Sequence, residues 1–210
     1  MNLKIIIADD HAIFRKGLKQ LIMEEFVNAQ ITEVSTAEEA IKLIRQQPFD
    51  LVISDITMPG RSGVDLLKQI CEEFPLLPVL ILSMHPEEQY AIRALKAGAW
   101  GYITKNAASD ELVNAIRKIK SSKKYISPTI ADLLTDNLFL NNNQLLHQLL
   151  SDRELEVFKL IASGKNASTI SEILSLSVNT ISTYRSRILE KMKLHSNAEL
   201  TRYALENNLI

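Results

Sequence analysis

The first 120 residues alternate between short apolar runs and longer segments whose apolar side chains have helical spacing. Near-continuous hydrophobicity is typical of a parallel strand that is covered on both faces. The predicted strands are Leu3–Ala8, Ile31–Val34, Leu51–Ser54, Val79–Leu82 and Trp100–Ile103. The predicted helices are Ala12–Glu25, one from a capping box at Thr36 to near Pro48, Gly63–Glu73, Pro86–Ala97 and Ser109–Ser122. This alternation predicts a doubly wound α/β domain with a five-stranded parallel sheet.

From Ser151 onward the pattern is wholly helical. Two of the predicted helices are joined by a tight turn, and this arrangement predicts a helix-turn-helix. The predicted helices run from a capping box at Ser151 and Glu154 to Gly164, over Ala167–Leu174, from the N-cap Ser177 to about Lys193, and over Ala198–Leu209. The second domain is therefore predicted to be small and all-α.

The segment between the α/β region and the helical region is predicted to be a linker. It carries Ser127-Pro128, short stretches with helical character and an Asn-rich break at 141–143. Its apolar residues could pack on either domain or on a second subunit. The predicted boundaries are 1–122 for the first domain, 123–148 for the linker and 149–210 for the second domain.

Composition narrows the class of protein. Of the 210 residues, 46% are apolar and 23% are charged, and the net charge is −1, so the chain is typical of a soluble globular protein. A single cysteine, Cys71, excludes an internal disulfide and suits a reducing compartment. The N-terminal apolar run is too short for a signal peptide, and no stretch approaches the roughly 20 apolar residues of a membrane span. We therefore predict a cytoplasmic protein without a membrane partner.

Polar side chains occur where the predicted strands end. Asp9 and Asp10 follow the first strand, Asp55 comes directly after the third, Ser83 after the fourth, and Lys105 after the fifth. Ligands of open parallel sheets bind beyond the carboxyl ends of the strands. We therefore expect these five side chains to converge on one edge of the sheet.

Three clustered carboxylates need positive charge nearby. Two unit charges about 4 Å apart interact by roughly 4 kcal/mol at a protein-surface dielectric, and Lys105 can neutralise only one carboxylate. A hard divalent ion with oxygen ligands, Mg²⁺ above all, would offset the rest while keeping several waters. Each acid taken alone would also fit as a solvated loop residue or a helix cap, but the full set at successive strand ends favours a metal site.

These residues resemble the receiver domain of a two-component response regulator over roughly residues 1–120. The resemblance is carried by Asp9-Asp10, Asp55 with Met58-Pro59-Gly60, Ser83 and Gly101-Tyr-Ile-Thr-Lys105. It implies a flavodoxin-like fold in which Asp55 accepts a phosphoryl group from a histidine kinase. An aspartate carboxylate is a competent nucleophile toward phosphorus.

The resemblance also implies a role for the neighbouring side chains. Lys105 would pair with the phosphate, Ser83 would move to hydrogen-bond it, and Tyr102 would follow as the switch aromatic. The implied Mg²⁺ ligands are Asp10 and Asp55 directly, Asp9 through water, and the backbone carbonyl of Thr57.

The helix that begins at Val178 has two different sides. Ile181, Tyr184, Ile188 and Met192 share one side at helical spacing. The other side or its flanks carry small polar residues and an arginine, namely Asn179, Ser182, Thr183, Ser186 and Arg187. Such side chains suit a helix in the DNA major groove, although a solvated amphipathic face would fit this helix taken alone.

The second domain resembles a LuxR-type DNA-binding domain. The motifs are Leu150–Val157, Ile161–Gly164, Ile170–Ile173 and Ser177–Ile181, with Asn197–Leu200 and Tyr203-Ala204 in the last helix. Receiver and output domain together are similar to the NarL/FixJ class of regulators. Ser182 and Tyr184 depart from the commoner lysine and histidine, so the operator cannot be carried over. The predicted DNA-binding residues are Asn179, Thr180, Ser182, Thr183, Tyr184, Arg185, Ser186 and Arg187.

The sequence therefore predicts a transcription factor controlled by phosphorylation, not an enzyme. Its predicted partners are a cognate histidine kinase and double-stranded promoter DNA. The alternatives are a phosphatase or phosphotransferase that turns over through aspartyl phosphate, and an RNA-binding or protein-binding output domain.

A homodimer is expected when the chain is phosphorylated. The last helix carries more apolar side chains than so small a domain needs for its core, which predicts a two-fold contact there. These side chains are Leu200, Tyr203, Ala204 and Leu209. Packing within the helical core is the alternative for part of this set.

Overall fold

The computed structural model describes residues 3–139 and 146–210. The chain divides into two compact units, with the boundary between residues 139 and 140. Within the described ranges, no helix is long and apolar enough to cross a membrane. Each unit is described below by itself.

The first unit is built on a five-stranded parallel sheet. The strands are β1 Lys4–Ala8, β2 Gln30–Val34, β3 Leu51–Ser54, β4 Val79–Ser83 and β5 Gly101–Thr104. Their order is β2-β1-β3-β4-β5, and every neighbouring pair is parallel. Every residue of β3 and β4 is buried, which explains why these strands read as continuous apolar runs. The predicted doubly wound α/β fold is confirmed.

Six helices within residues 3–139 accompany this sheet. They are α1 Ala12–Glu25, α2 Ala37–Gln46, α3 Gly63–Glu73, α4 Glu87–Lys96, α5 Ala108–Lys120 and α6 Pro128–Phe139, with a 3₁₀ turn at Lys105–Ala107. Leu18 and Ile22 of α1 join Leu112 and Ile116 of α5 in one buried cluster with alternate residues of the central strands. The predicted bounds of α1 and α3 are confirmed, and those of α4 and α5 differ by one or two residues.

The capping box predicted at Thr36 is only half correct. The Thr36 hydroxyl accepts the backbone N–H of Glu39, as expected of an N-cap. The Glu39 carboxylate, however, accepts the N–H of Ser35, one residue earlier than a capping box requires. Both bonds still satisfy donors at the start of α2.

The predicted linker contains α6, which packs against α4 of the first unit. Tyr125 and Ile130 are buried there, so the first apolar residues of this segment pack on the unit that precedes them. The Asn-rich break at 141–143 lies outside the described residues. The predicted linker bounds, 123–148, stay a prediction.

The second unit is helical throughout its described length. It contains a 3₁₀ turn at Leu146–Leu149 and the helices α7 Asp152–Ala162, α8 Ala167–Leu174, α9 Val178–Met192 and α10 Asn197–Glu206. Ser151 and Glu154 form the predicted capping box, and Ser177 caps α9. α7 ends two residues before Gly164, which has a φ of 79° and follows the cap residue Ser163.

The dimer face predicted on α10 is wrong in its residues. Leu200 and Ala204 are fully buried and Leu209 is 7% exposed, so all three belong to the core of the second unit. Tyr203 is half-buried and packs edge-on against Phe158 of α7. The large apolar side chain that α10 does expose is Leu205. Helical spacing identified the apolar face, but α7 covers that face within the same chain.

Gly63 at the start of α3 allows the backbone to approach β3 closely. A Cβ at this position would lie 1.7 Å from the carbonyl oxygen of Asp55. We expect Gly63→Ala to lower the free energy of unfolding by about 2 kcal/mol or more, because backbone has to move. Urea denaturation followed by circular dichroism measures the change.

Gly17 in α1 provides the matched control. No atom lies within 4 Å of a Cβ placed there, so Gly17→Ala should raise the free energy of unfolding by roughly 0.5–1 kcal/mol through helix propensity. Equal effects of the two substitutions would contradict the steric argument.

Candidate functional sites

Strand pairing brings the predicted receiver residues to one edge of the sheet. Ala8 of β1 is in register with Ser54 of β3, so the following residues, Asp9 and Asp55, lie on adjacent strand ends. Ser83 at the end of β4 is in register with Thr104, which precedes Lys105. Asp9, Asp55, Ser83 and Lys105 are all buried at this edge, whereas Asp10 is exposed.

Lys105 is the centre of this group. Its Nζ lies 2.7 Å from Asp9 Oδ2 and 2.7 Å from Asp55 Oδ2. The ammonium also lies 4.8 Å from the centre of the Phe14 ring, which covers it with an aromatic face. The backbone N–H of Thr57 donates to Asp55 Oδ1 at 3.2 Å. Both carboxylate oxygens of Asp55 therefore have donors.

Burial and ion pairing act in opposite directions here. Burial raises the pKa of Asp55 above its ordinary value, and the hydrogen bond from Lys105 offsets this only in part. For Lys105 burial disfavours the charged form, but bonds to Asp55 and Asp9 outweigh it, so its pKa is raised. The lysine thus stays charged at neutral pH, while Asp55 is a carboxylate held in an environment that favours charge neutralisation.

His11 belongs to the site although sequence analysis did not place it there. Its Nδ1 lies 2.7 Å from Asp10 Oδ1, 3.2 Å from Asp9 Oδ1 and 3.4 Å from Lys105 Nζ. The signal was its position directly after Asp10 at a strand end, where the chain turns into α1. The imidazole, 61% exposed, therefore contacts both Asp9 and Asp10.

The donor set fits a divalent metal ion. Asp9, Asp10, His11 and Asp55 each offer a ligand atom, and these atoms lie within 4.8 Å of one another. Three carboxylates and one ammonium leave a formal charge of −2 when His11 is neutral. A divalent cation with a preference for oxygen ligands would neutralise that charge.

Ser83 and Tyr102 meet at the loop between β4 and α4. The Ser83 hydroxyl oxygen accepts the backbone N–H of His85 at 3.2 Å, and the Tyr102 hydroxyl donates to the His85 carbonyl at 2.7 Å. Burial raises the pKa of Tyr102, although its hydrogen bond with Ser83 opposes the shift. The two predicted switch residues are thus joined to the same loop.

His85 connects this loop to β3. Its ring stacks on Tyr90 with centroids 4.5 Å apart, and its Nε2 lies 3.3 Å from the Thr57 hydroxyl. Thr57 therefore contributes a side-chain contact that sequence analysis missed. The ligand role predicted for its backbone carbonyl stays a prediction.

Helix α9 presents the predicted DNA-binding residues on its outer side. Ile181, Ile188 and Met192 are buried, while Tyr184 is half-buried. The exposed residues among the predicted set are Asn179, Ser182, Thr183, Ser186 and Arg187, with Thr180 half-buried in the first turn. The hydroxyls of Ser182, Thr183 and Ser186 donate to carbonyls four residues earlier, at 3.0–3.1 Å.

Arg185 points toward α10 rather than outward. The side chain is half-buried, and its Nε donates to Asn197 Oδ1 at 2.7 Å. This contact ties the middle of α9 to the first residue of α10. Arg187 is the exposed guanidinium of the predicted pair.

Two charged residues of α7, the buried Glu154 and the half-buried Arg153, hold the helix-turn-helix in place. Glu154 accepts Lys191 Nζ from the last turn of α9 at 2.6 Å, and Arg153 donates to the carbonyl of Leu174 at the end of α8 at 2.9 Å. Arg153 is itself paired with Glu156 at 2.7 Å. The orientation of α8 and α9 is thus set from α7.

Two family models match the chain in the regions that these sites occupy. The response regulator receiver domain matches residues 5–117, and the luxR family of bacterial regulatory proteins matches residues 148–204. The receiver domain with its acidic edge and the helix-turn-helix together define the class of protein, which is the DNA-binding regulators of transcription. The chain belongs to the two-component response regulators of the NarL/FixJ class.

Relatives cover the whole chain. The oxygen regulatory protein NreC of Staphylococcus carnosus is 36% identical over 215 residues, with 99% of each chain covered. A structure of RcsB from Salmonella enterica serovar Typhimurium, bound to a promoter with the phosphomimetic BeF₃⁻, is 26% identical with a TM-score of 0.61, covering 97% of this chain and 98% of that one. A structure of two RcsB dimers bound to two parallel DNAs is 25% identical, with the same TM-score and coverage.

The ion pair between Glu154 and Lys191 yields a pH-dependent prediction. Burial opposes ionisation of Glu154, but Lys191 and the N–H of Ser151 lower its pKa below the ordinary value. Glu154→Gln should therefore cost about 1–2 kcal/mol of unfolding free energy at pH 7. The carboxylate stabilises the fold above its unfolded pKa, so the cost should vanish as pH falls through the lowered folded pKa.

Thermal denaturation between pH 7 and pH 2.5 measures this difference. Glu199→Gln is the matched control, because Glu199 accepts the N–H of His195 in a similar capping bond on α10. A cost of Glu154→Gln that stays constant across the pH range would contradict the ion-pair assignment.

Proposed function

We propose that this regulator is controlled by phosphorylation of Asp55 by a histidine kinase. The observation that carries the proposal is the buried Asp55 carboxylate at the end of β3, 2.7 Å from Lys105 Nζ. Burial raises the pKa of Asp55, and the charged Lys105 opposes that shift, so the lysine favours the nucleophilic carboxylate form and offers a partner for phosphoryl oxygens.

The proposed reaction is a phosphoryl transfer. A carboxylate oxygen of Asp55 attacks the phosphorus of a phosphohistidine, an O–P bond forms, and the P–N bond breaks with its electron pair going to the departing imidazole. Lys105 pairs with the phosphoryl oxygens as the charge on Asp55 is taken up in the acyl phosphate. Ser83 gives up its contact with the His85 N–H to hydrogen-bond the phosphoryl group, and Tyr102 follows.

Mg²⁺ is the metal that we propose for the site. Asp10 and Asp55 would bind it directly, Asp9 through water, and the Thr57 carbonyl would add a further oxygen; the oxygen-rich donor set and the formal charge of −2 support this assignment. When bound, the ion neutralises charge on the phosphoryl oxygens. His11, which contacts two of these carboxylates, has to yield part of that contact to the ion.

We propose that α9 reads DNA in the major groove. Its exposed Asn179, Ser182 and Thr183 suit base edges, while Arg187 suits a phosphate. Thr180, Tyr184 and Ser186 complete the proposed interface, whereas Arg185, also predicted to bind DNA, donates to Asn197 of α10 instead. RcsB, similar over nearly the whole chain, binds DNA as dimers, which supports a homodimer here. Phosphorylation would raise affinity for the operator by favouring dimerisation or release of α9.

The proposed acceptor is tested by mass spectrometry of the intact chain. With acetyl phosphate and Mg²⁺, the protein should gain about 80 Da, the mass of one phosphoryl group, and Asp55→Asn should abolish the gain because the nucleophile is lost. Asp50→Asn is the control, since Asp50 precedes β3 at the opposite end of the strand and bonds the N–H of Lys4. A full adduct on the Asp55→Asn chain would refute the assignment.

The proposed DNA contact of Arg187 is tested by titrating an operator fragment at several salt concentrations. Arg187→Ala should weaken binding about tenfold and reduce the salt slope by about one, since one phosphate contact is lost. Arg202→Ala on α10 is the control, because Arg202 is equally exposed and pairs with Glu206. Unchanged affinity and slope in the Arg187→Ala chain would remove this residue from the interface.

A further inference from the structure

A buried hydrogen bond joins the start of α4 to the start of α6. The Ser127 hydroxyl donates to Glu87 Oε2 at 2.7 Å, and these residues are 3% and 9% exposed. The same Ser127 oxygen accepts the N–H of Ile130 at 3.1 Å, and the Ser127 carbonyl accepts the N–H of Ala131 at 3.0 Å. Glu87 therefore orients the residue that begins α6.

The residues just before Ser127 are fastened to the same unit. The Tyr125 N–H donates to the Trp100 carbonyl at 2.7 Å, and the Tyr125 hydroxyl donates to Glu111 Oε2 at 2.9 Å. A Cβ on Gly101 would lie 2.9 Å from the Cβ of Tyr125, so β5 and this segment are in close contact. The Tyr125 contacts do not involve the loop after β4, whereas Glu87, at the end of that loop, bonds Ser127 directly.

Glu87 is only four residues beyond Ser83 in the sequence. The intervening loop is held by the bond from the His85 N–H to Ser83 and by the bond from Tyr102 to the His85 carbonyl. A rotation of Ser83 toward Asp55 breaks the first of these bonds. The backbone of the loop, and with it the first turn of α4, then loses one of its restraints.

We expect the hydrogen bond between Ser127 and Glu87 to be either fully made or fully broken. Burial raises the pKa of Glu87, and the bond from Ser127 opposes that shift. A buried carboxyl that loses its donor is costly, so a shift of the first turn of α4 favours movement of the side chain toward solvent. Ser127 would then lose the acceptor that orients its hydroxyl toward Ile130.

We propose that Glu87 is a positioning residue that couples phosphorylation of Asp55 to the first turn of α6, through its hydrogen bond with Ser127. The inference rests on the proposed function, because the signal starts at Ser83 when Asp55 is phosphorylated. Its consequence is that phosphorylation loosens the start of the helix that leads, in sequence, to the DNA-binding unit.

Hydrogen exchange of single amides, measured by NMR on the full chain, tests the coupling. The amides of Ile130 and Ala131 should exchange about tenfold faster in the chain phosphorylated with acetyl phosphate and Mg²⁺, because a hydrogen bond to a carboxyl group is lost. Glu87→Ala without phosphorylation should give the same increase. In Glu87→Gln, which keeps an acceptor for Ser127, the amides of Ile130 and Ala131 should exchange at the wild-type rate. The same is expected for Glu88→Ala, which changes an exposed residue of the same helical turn.

The outcomes separate this inference from the proposed function. A verified phosphoryl adduct with unchanged exchange at Ile130 and Ala131 would overturn the coupling and leave phosphorylation standing. Absence of an adduct would overturn the proposed function and this inference with it. Faster exchange in Glu87→Gln equal to that in Glu87→Ala would show that the Ser127 bond is not the link. The comparison of phosphorylated with unphosphorylated wild-type protein tests the coupling even if Glu87→Ala fails to fold.

Discussion

The contact of Lys105 with Asp9 and Asp55 is the interaction on which the receiver unit depends. It joins the segments after β5, β1 and β3, so one ammonium crosses the carboxyl edge of the sheet. Buried carboxylates without such a partner would destabilise the fold, since a charge removed from water is costly unless it is paired. One cation between two buried carboxylates leaves negative charge behind, and this excess suits the site to a divalent ion.

The loop after β4 lies between that edge and the start of α4, and in the proposed coupling it transmits phosphorylation of Asp55 to the rest of the unit. Ser83, at the end of β4, accepts the N–H of His85 in the loop; the His85 carbonyl contacts Tyr102 of β5, and Glu87, at the start of α4, contacts Ser127. Bonds of this kind have two discrete arrangements, made or broken, so a small movement at Ser83 can be transmitted without gradual deformation of the core. Tyr102, fully buried beside the loop, limits the positions that the loop can adopt.

In the second, DNA-binding unit, fewer residues hold the helices in place. The inner face of α9 is fixed by Ile181, Ile188 and Met192, and its last turn is fixed by the bond from Lys191 to Glu154. Because the same Glu154 carboxylate also accepts the Ser151 N–H in the capping box of α7, one carboxylate serves both helices. A recognition helix held at both its middle and its end presents its outer side chains with little freedom, which lowers the entropy lost on binding DNA.

The sequence by itself determined the α/β pattern, the residues at the strand ends and the helix-turn-helix. Apolar periodicity depends only on local geometry, and parallel strands necessarily bring Asp9, Asp55 and Lys105 to one edge. Tertiary structure alone decided that His11 covers the acids, that Ser127 bonds Glu87, and that Leu200 faces α7 rather than a second subunit. Periodicity shows which face of a helix is apolar, whereas the partner that covers this face depends on packing between residues far apart in the chain.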